Sequence, residues 1–259
     1  MKNVLYIFSL LSLFLVSCEK EIDIDLNEAD QKVVIVGSVT NLDEPATVRV
    51  TRSMAFDQPN DFPAVSNGTV EITRFFGTEE EIFILTEVQP GVYQTETPIG
   101  QQGANFKLRV VVDGETYEAE CVMPDQTEIV DFYFEEILPG SLNPGVGFVD
   151  VGGRKDFYKA NIIINSERVP DIFITDDTFT DGEIMAAIFG GPDLEFETGD
   201  SVRIEIDHID EKVYNYWFSL SQNVNDATAA PANPVTNLSN GALGYFSAFS
   251  RSSVEGIVP

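Results

Sequence analysis

The sequence predicts an all-β body, and three observations carry that prediction. Apolar residues alternate with polar ones at period two through most of the chain, β-branched and aromatic residues fill the alternating runs, and Gly, Asn, Asp and Pro turn signals separate them at short intervals. A helical period of 3.6 occurs once, near residue 215.

The elements follow in order. Val33 to Thr40 is a β-branched run and Ala46 to Arg52 alternates. Thr69 to Phe75 alternates after an Asn67-Gly68 turn, and Ile82 to Leu85 precedes a Pro90-Gly91 turn into Val92 to Thr95. Phe106 to Val112 turns at Asp113-Gly114 into Glu115 to Ala119, the clearest hairpin of the chain. About seven short strands in some ninety residues predict an immunoglobulin-like β-sandwich over residues 32–125. Residues 126–259 form a second mainly β domain. It opens with Ile129 to Phe134, passes through a Gly- and Pro-rich loop at 138–154, and continues with Phe157 to Ile164, Asp171 to Thr175 and Ser201 to His208. A helix at about 210–225 follows, with Asp210 as its cap, Ile209 and Tyr214 at the positions of a hydrophobic staple, and Val213, Trp217, Leu220 and Val224 on one face. A polar loop at 225–240 leads to a closing strand from Gly241 to Phe249. The loops at 138–154 and 225–240 are long for a compact domain, which makes them either partner surfaces or disordered connections.

The first 31 residues stand apart. Lys2 and an apolar run from Val4 to Val16 read as an export peptide over residues 1–17, too short to cross a bilayer and followed by acid. Leu15-Val16-Ser17-Cys18 resembles the lipobox at which bacterial lipoproteins are cut ahead of an acylated cysteine, so Cys18 is the expected lipid attachment and residues 18–31 the tether. Several acyl chains hold such a protein firmly, since each buried methylene contributes about 0.8 kcal/mol. Behind Cys18, the residues Glu19, Lys20, Glu21, Asp23 and Asp25 resemble the acidic tag that carries Bacteroidetes lipoproteins to the cell surface. A plain solvated spacer would have the same composition, so the expected location is the outer membrane, lipid-anchored and facing the cell surface, with the periplasmic face as the alternative.

Cysteine count and charge narrow the partners. The chain has two cysteines, so acylation of Cys18 leaves Cys121 unpaired, and the alternation of its strand turns it inward with Tyr117 and Ala119. With 43 acidic against 15 basic residues, a formal net charge of −28 repels nucleic acid and anionic surfaces. A hydrophobic content of 43% with 19 Phe argues for a folded body nonetheless.

The opening run Cys18 to Leu26, the strand Val33 to Asn41, Val48 to Ser53, Gly91-Val92-Tyr93, and above all Asn233-Pro234 with Gly241 to Ala248 resemble the Bacteroidetes lipoprotein family numbered 4249 among the domains of unknown function. Phe157-Tyr158-Lys159 stands where members often have Tyr-Tyr-Arg, and Pro234-Val235-Thr236 where they have a Pro-Pro-Ser run. The resemblance implies an envelope lipoprotein of a family without established activity, often encoded near TonB-dependent outer-membrane receptors, with no catalytic residues to carry over; the expected role is a binding or accessory module beside such a transporter or an envelope assembly machine.

An enzyme is not expected. His208, the sole histidine, shares a strand face with Val202, Ile204 and Ile206, as a structural imidazole would. Nucleophile elbows, zinc spacings and phosphate-binding glycine loops are absent from the sequence. A glycoside hydrolase needs only two placed carboxylates, which keeps a surface hydrolase as the remote alternative beside a structural or adhesive role. No cofactor is expected, with Ca²⁺ the one open option: Asp176, Asp177, Asp181 and Glu183 crowd one loop, which departs from the EF-hand pattern and reads first as an acidic turn.

Overall fold

The computed structural model describes residues 31–54, 62–191, 194–225 and 232–259. The tether calls, from Cys18 through Asp25, lie outside the described residues.

Sixteen strands and one helix make up the described chain. The N-terminal half contributes β1 (Val33–Thr40), β2 (Thr47–Arg52), β3 (Thr69–Phe76), β4 (Glu79–Ile84), β5 (Thr86–Gln89), β6 (Val92–Gln94), β7 (Asn105–Val112) and β8 (Glu115–Val122). The rest contributes β9 (Ile129–Leu138), β10 (Ser141–Val149), β11 (Phe157–Ile164), β12 (Glu167–Arg168), β13 (Phe173–Asp176), β14 (Ile184–Ile188), β15 (Ser201–Ile209), helix α1 (Glu211–Asn225) and β16 (Leu243–Ile257).

The first sandwich packs β1, β2 and β6 over the four-stranded sheet β4-β3-β7-β8. Its core follows the alternation of the sequence: Val33, Ile35, Val39, Val48 and Val50 on one side, Val70, Ile72, Phe106, Leu108 and Val110 on the other. Cys121 faces this core with Tyr117 and Ala119, as its strand pattern requires. The β7–β8 hairpin turns through Asp113 (φ 52°) and Gly114 (φ 82°), the paired positive angles of a tight hairpin turn.

The second core lies between β11 and β15 of the large sheet and the three-stranded sheet β14-β10-β9. Here the expected loop at 138–154 is largely strand. Gly145 and Gly147 look like breakers in the sequence, yet they sit in β10 because a Cβ on Gly145 would lie 2.5 Å from the Tyr133 ring. Strand β14, also unforeseen, pairs with β10 from Val149↔Ile184 to Gly145↔Ile188.

The two cores divide near residue 125 except at β16. That strand pairs parallel with β1 over residues 243–249 and antiparallel with β15 over residues 250–257, from His208↔Ser250 to Ser201↔Ile257. One nine-stranded sheet therefore runs through both cores, and Leu238, Ala242, Phe246 and Ala248 complete the first of them. The described residues belong to one compact unit. Close approach at the parallel pairing depends on Gly244, whose φ is +92° and whose Cβ would meet the Ile35 carbonyl oxygen at 2.0 Å.

Helix α1 covers the other face of the large sheet through Val213, Tyr214 and Trp217, which pack on Phe157, Ile209, Tyr245 and Phe249. Its cap is as expected: Asp210 Oδ1 accepts the Val213 N–H at 2.9 Å. Burial pushes the Asp210 carboxyl above its usual range, against the backbone N–H bonds from Val213 and Val122 that favour the charged form. Trp217 is half-buried rather than central. Residues 232–240 run along the open edge of β8, where Ser239 bonds both the N–H and the carbonyl of Glu118. Among the described residues, no helix is long and apolar enough to cross a membrane.

Candidate functional site

The strongest polar constellation forms where β11 begins and β15 ends, because cross-strand pairing sets Tyr158 opposite His208. Their rings lie 4.7 Å apart, and both residues are 1% exposed. Around them stand three buried carboxylates: Asp150 after β10, Asp156 before β11, and Asp177 after β13. One ligand atom from each lies within 4.8 Å of the others.

Each carboxylate is held by the protein. Asp150 Oδ1 accepts the Tyr158 hydroxyl at 2.6 Å and its Oδ2 the Gly182 N–H at 2.8 Å. Asp156 accepts from Arg154 Nε at 2.9 Å and lies 3.1 Å from His208 Nε2, while Asp177 Oδ2 accepts the Asp156 N–H at 3.0 Å. The other ring nitrogen of His208 is 2.8 Å from the Asp125 carbonyl oxygen. Burial pulls the His208 imidazole below its usual pKa, outweighing the nearby acceptors that favour the charged form. Burial also raises the Tyr158 hydroxyl, and the carboxylate of Asp150 adds to that.

An open depression of about 530 Å³ lies over this cluster, lined by Gly153, Arg154, Lys155, Asp177, Thr178 and Asp181. Oxygens bound to Ca²⁺ at about 2.3–2.6 Å stand at most about 5 Å apart, so the three carboxylates fit part of such a coordination sphere. This donor set differs from the one the sequence pointed to. Of the four acids in the loop, only Asp177 joins it. Asp176 caps the Thr178 N–H, Asp181 accepts the Gly153 N–H at 2.7 Å, and Glu183 is exposed. Asp150 and Asp156 were missed because they flank a segment that reads as featureless loop, and only the folded sheet brings them beside Asp177.

A second polar island sits on the opposite face, beneath α1. Lys159 donates to Asn161 Oδ1, and its ammonium lies 4.7 Å from the centre of the Trp217 ring. Asn161 Nδ2 reaches Asp207 at 2.8 Å, and Arg251 grips the same carboxylate through Nε at 2.6 Å and a terminal nitrogen at 2.9 Å. Burial brings the Lys159 ammonium down to about 8.

Comparison with known proteins adds one decisive match. The model of a domain of unknown function, DUF4249, matches residues 19–255. The chain belongs to this family. The DUF4249 match spans both cores and the tether, in line with the resemblance of the opening run and of Gly241 to Ala248. No curated protein matches the chain. Among solved structures, a crystal structure of bovine butyrophilin aligns at 11% identity with a TM-score of 0.22, covering 89% of this chain and all of that one.

Proposed function

We propose that this DUF4249 protein is a lipid-anchored binding or accessory module of the bacterial outer-membrane surface, working beside a TonB-dependent β-barrel receptor and performing no catalysis of its own. The observation that carries the reading is Leu15-Val16-Ser17-Cys18 followed at once by Glu19, Glu21, Asp23 and Asp25, an acylation signal with an acidic tether. The environment of His208 supports the non-catalytic part, since both ring nitrogens face protein groups and the ring is 1% exposed. The charge of −28 keeps the body soluble and turns it away from nucleic acid.

The test is affinity purification of the tagged lipoprotein from its own envelope, with protease shaving of intact cells in parallel. Recovery of a β-barrel receptor at near-stoichiometric yield and cleavage of the body on whole cells are the expected results. A lipoprotein recovered alone, or one protected from protease until the outer membrane is broken, overturns the reading.

A further inference from the structure

We infer that the second sandwich carries a binding cavity for a small aromatic or similarly compact apolar molecule. The cavity has a volume of about 260 Å³ and opens between β13 and β14. These strands belong to different sheets, β13 pairing with β11 and β14 with β10, and they do not pair with each other. The sandwich is thus open along this seam, and its packed core forms the floor of the gap.

The walls are aromatic. Phe148 and Tyr158 meet edge to face at 4.9 Å on one side, and Phe173 and Phe189 do so at 5.3 Å on another. Tyr158, Ile206 and Phe148, at 1%, 1% and 2% exposure, form the closed floor of a cavity whose mouth is open to solvent. The side chains offer little polarity: the Tyr158 hydroxyl points away to Asp150, and Thr175 Oγ1 donates to the Asp176 carbonyl at 3.3 Å, so the polar groups that border the gap are mainly the backbone edges of β13 and β14.

The chemistry of the occupant follows. A charged molecule would lose hydration and find no charged side chain among the lining residues in return. An apolar cavity of about 150 Å³ already accepts benzene, so 260 Å³ admits a substituted ring or a fused pair. Rings at the walls favour another ring, through edge-to-face and offset contacts.

The inference does not rest on the partner reading, and its test needs no partner. The mature chain from residue 18 carrying Cys18→Ser, free of lipid and detergent, is titrated with toluene while isoleucine methyl resonances are followed by NMR. The Ile206 and Ile172 methyls shift saturably, those of Ile35 in the first core stay fixed, and Tm rises with toluene concentration. Benzoate binds at least tenfold more weakly. Ala187→Leu and Ala160→Leu each fill the cavity from its wall and lower toluene affinity at least tenfold while the methyl spectrum stays dispersed. Absence of a saturable Ile206 shift up to the solubility of toluene overturns the inference on the wild-type chain alone. So does benzoate binding as tightly as toluene, or unchanged affinity in whichever filled variant folds.

Discussion

His208 Nε2 lies 3.1 Å from Asp156 Oδ1 with both side chains sealed from solvent. The burial that lowers the imidazole pKa makes the folded state prefer neutral histidine, whereas the unfolded chain titrates near 6.5. A base with a depressed folded pKa contributes stability that is present above its unfolded pKa and is lost as pH falls through that value towards the folded one. Between pH 7.5 and 5, urea denaturation of the wild type should therefore lose more stability than that of His208→Asn, with a slope difference of at most about 1.4 kcal/mol per pH unit. Parallel stability curves for the two proteins would show that His208 is not held neutral.

Lys159 gives the same sign in a different window. Its folded value of about 8 lies below the ordinary lysine value of 10.5, so the protonated form destabilises the fold at neutral pH, and that effect fades as pH rises between those two values. Lys159→Met orphans no partner, because Asn161 Oδ1 is also bonded by Arg168 and Asp207 is gripped by Arg251. The variant should match or exceed the wild type at pH 7, by roughly 0–3 kcal/mol, with the advantage shrinking towards pH 10. Loss of the contact with Trp217 sets the lower end of that range. A variant more than about 1 kcal/mol less stable at pH 7 would make the island a net stabiliser.

Gly244→Ala should be the most damaging alanine substitution among the turn and strand glycines. The new Cβ meets the Ile35 carbonyl oxygen at 2.0 Å and the backbone is held at φ +92°, so β1 and β16 must separate where the shared sheet joins the two cores. A loss of roughly 3 kcal/mol or more is expected by chemical denaturation. Gly114→Ala, with φ +82° and nothing within 4 Å of its Cβ, should cost only about 1 kcal/mol. Equal losses would mean that strain alone, and not the approach of β1, sets the requirement at Gly244.

What could be read from the chain depended on how local the signal is. The alternation of Phe106 to Ala119 and the Asp113-Gly114 turn act within fifteen residues, and the hairpin appears where they place it. Asp210 caps α1 within one turn and was equally legible. Strand β10 was not, because Gly145 and Gly147 are there for the Tyr133 ring and for β14 beside them, and neither reason is visible in sequence. The double service of β16 depends on pairing with β1, some two hundred residues away in the chain, so the closing strand was expected to stop at Phe249 and instead continues to Ile257. The carboxylate cluster failed for the same reason: Asp150, Asp156 and Asp177 come from three connections that only the sheets bring together.

Cys121 offers a count that tests the tether and the core together. It is 3% exposed in the first sandwich, and burial raises its thiol well above the ordinary value, so the reactive thiolate is suppressed in the fold. The native mature protein should therefore react with an aromatic disulfide reagent only on the timescale of unfolding. In denaturant the number of reactive thiols reports on Cys18: with its sulfur in a thioether, one thiol titrates, and with a free Cys18, two do. One thiol appearing at the rate of unfolding is the expected outcome. Two thiols would remove the lipid anchor on which the proposed function stands, while rapid reaction in the native state would instead place Cys121 outside the packed core.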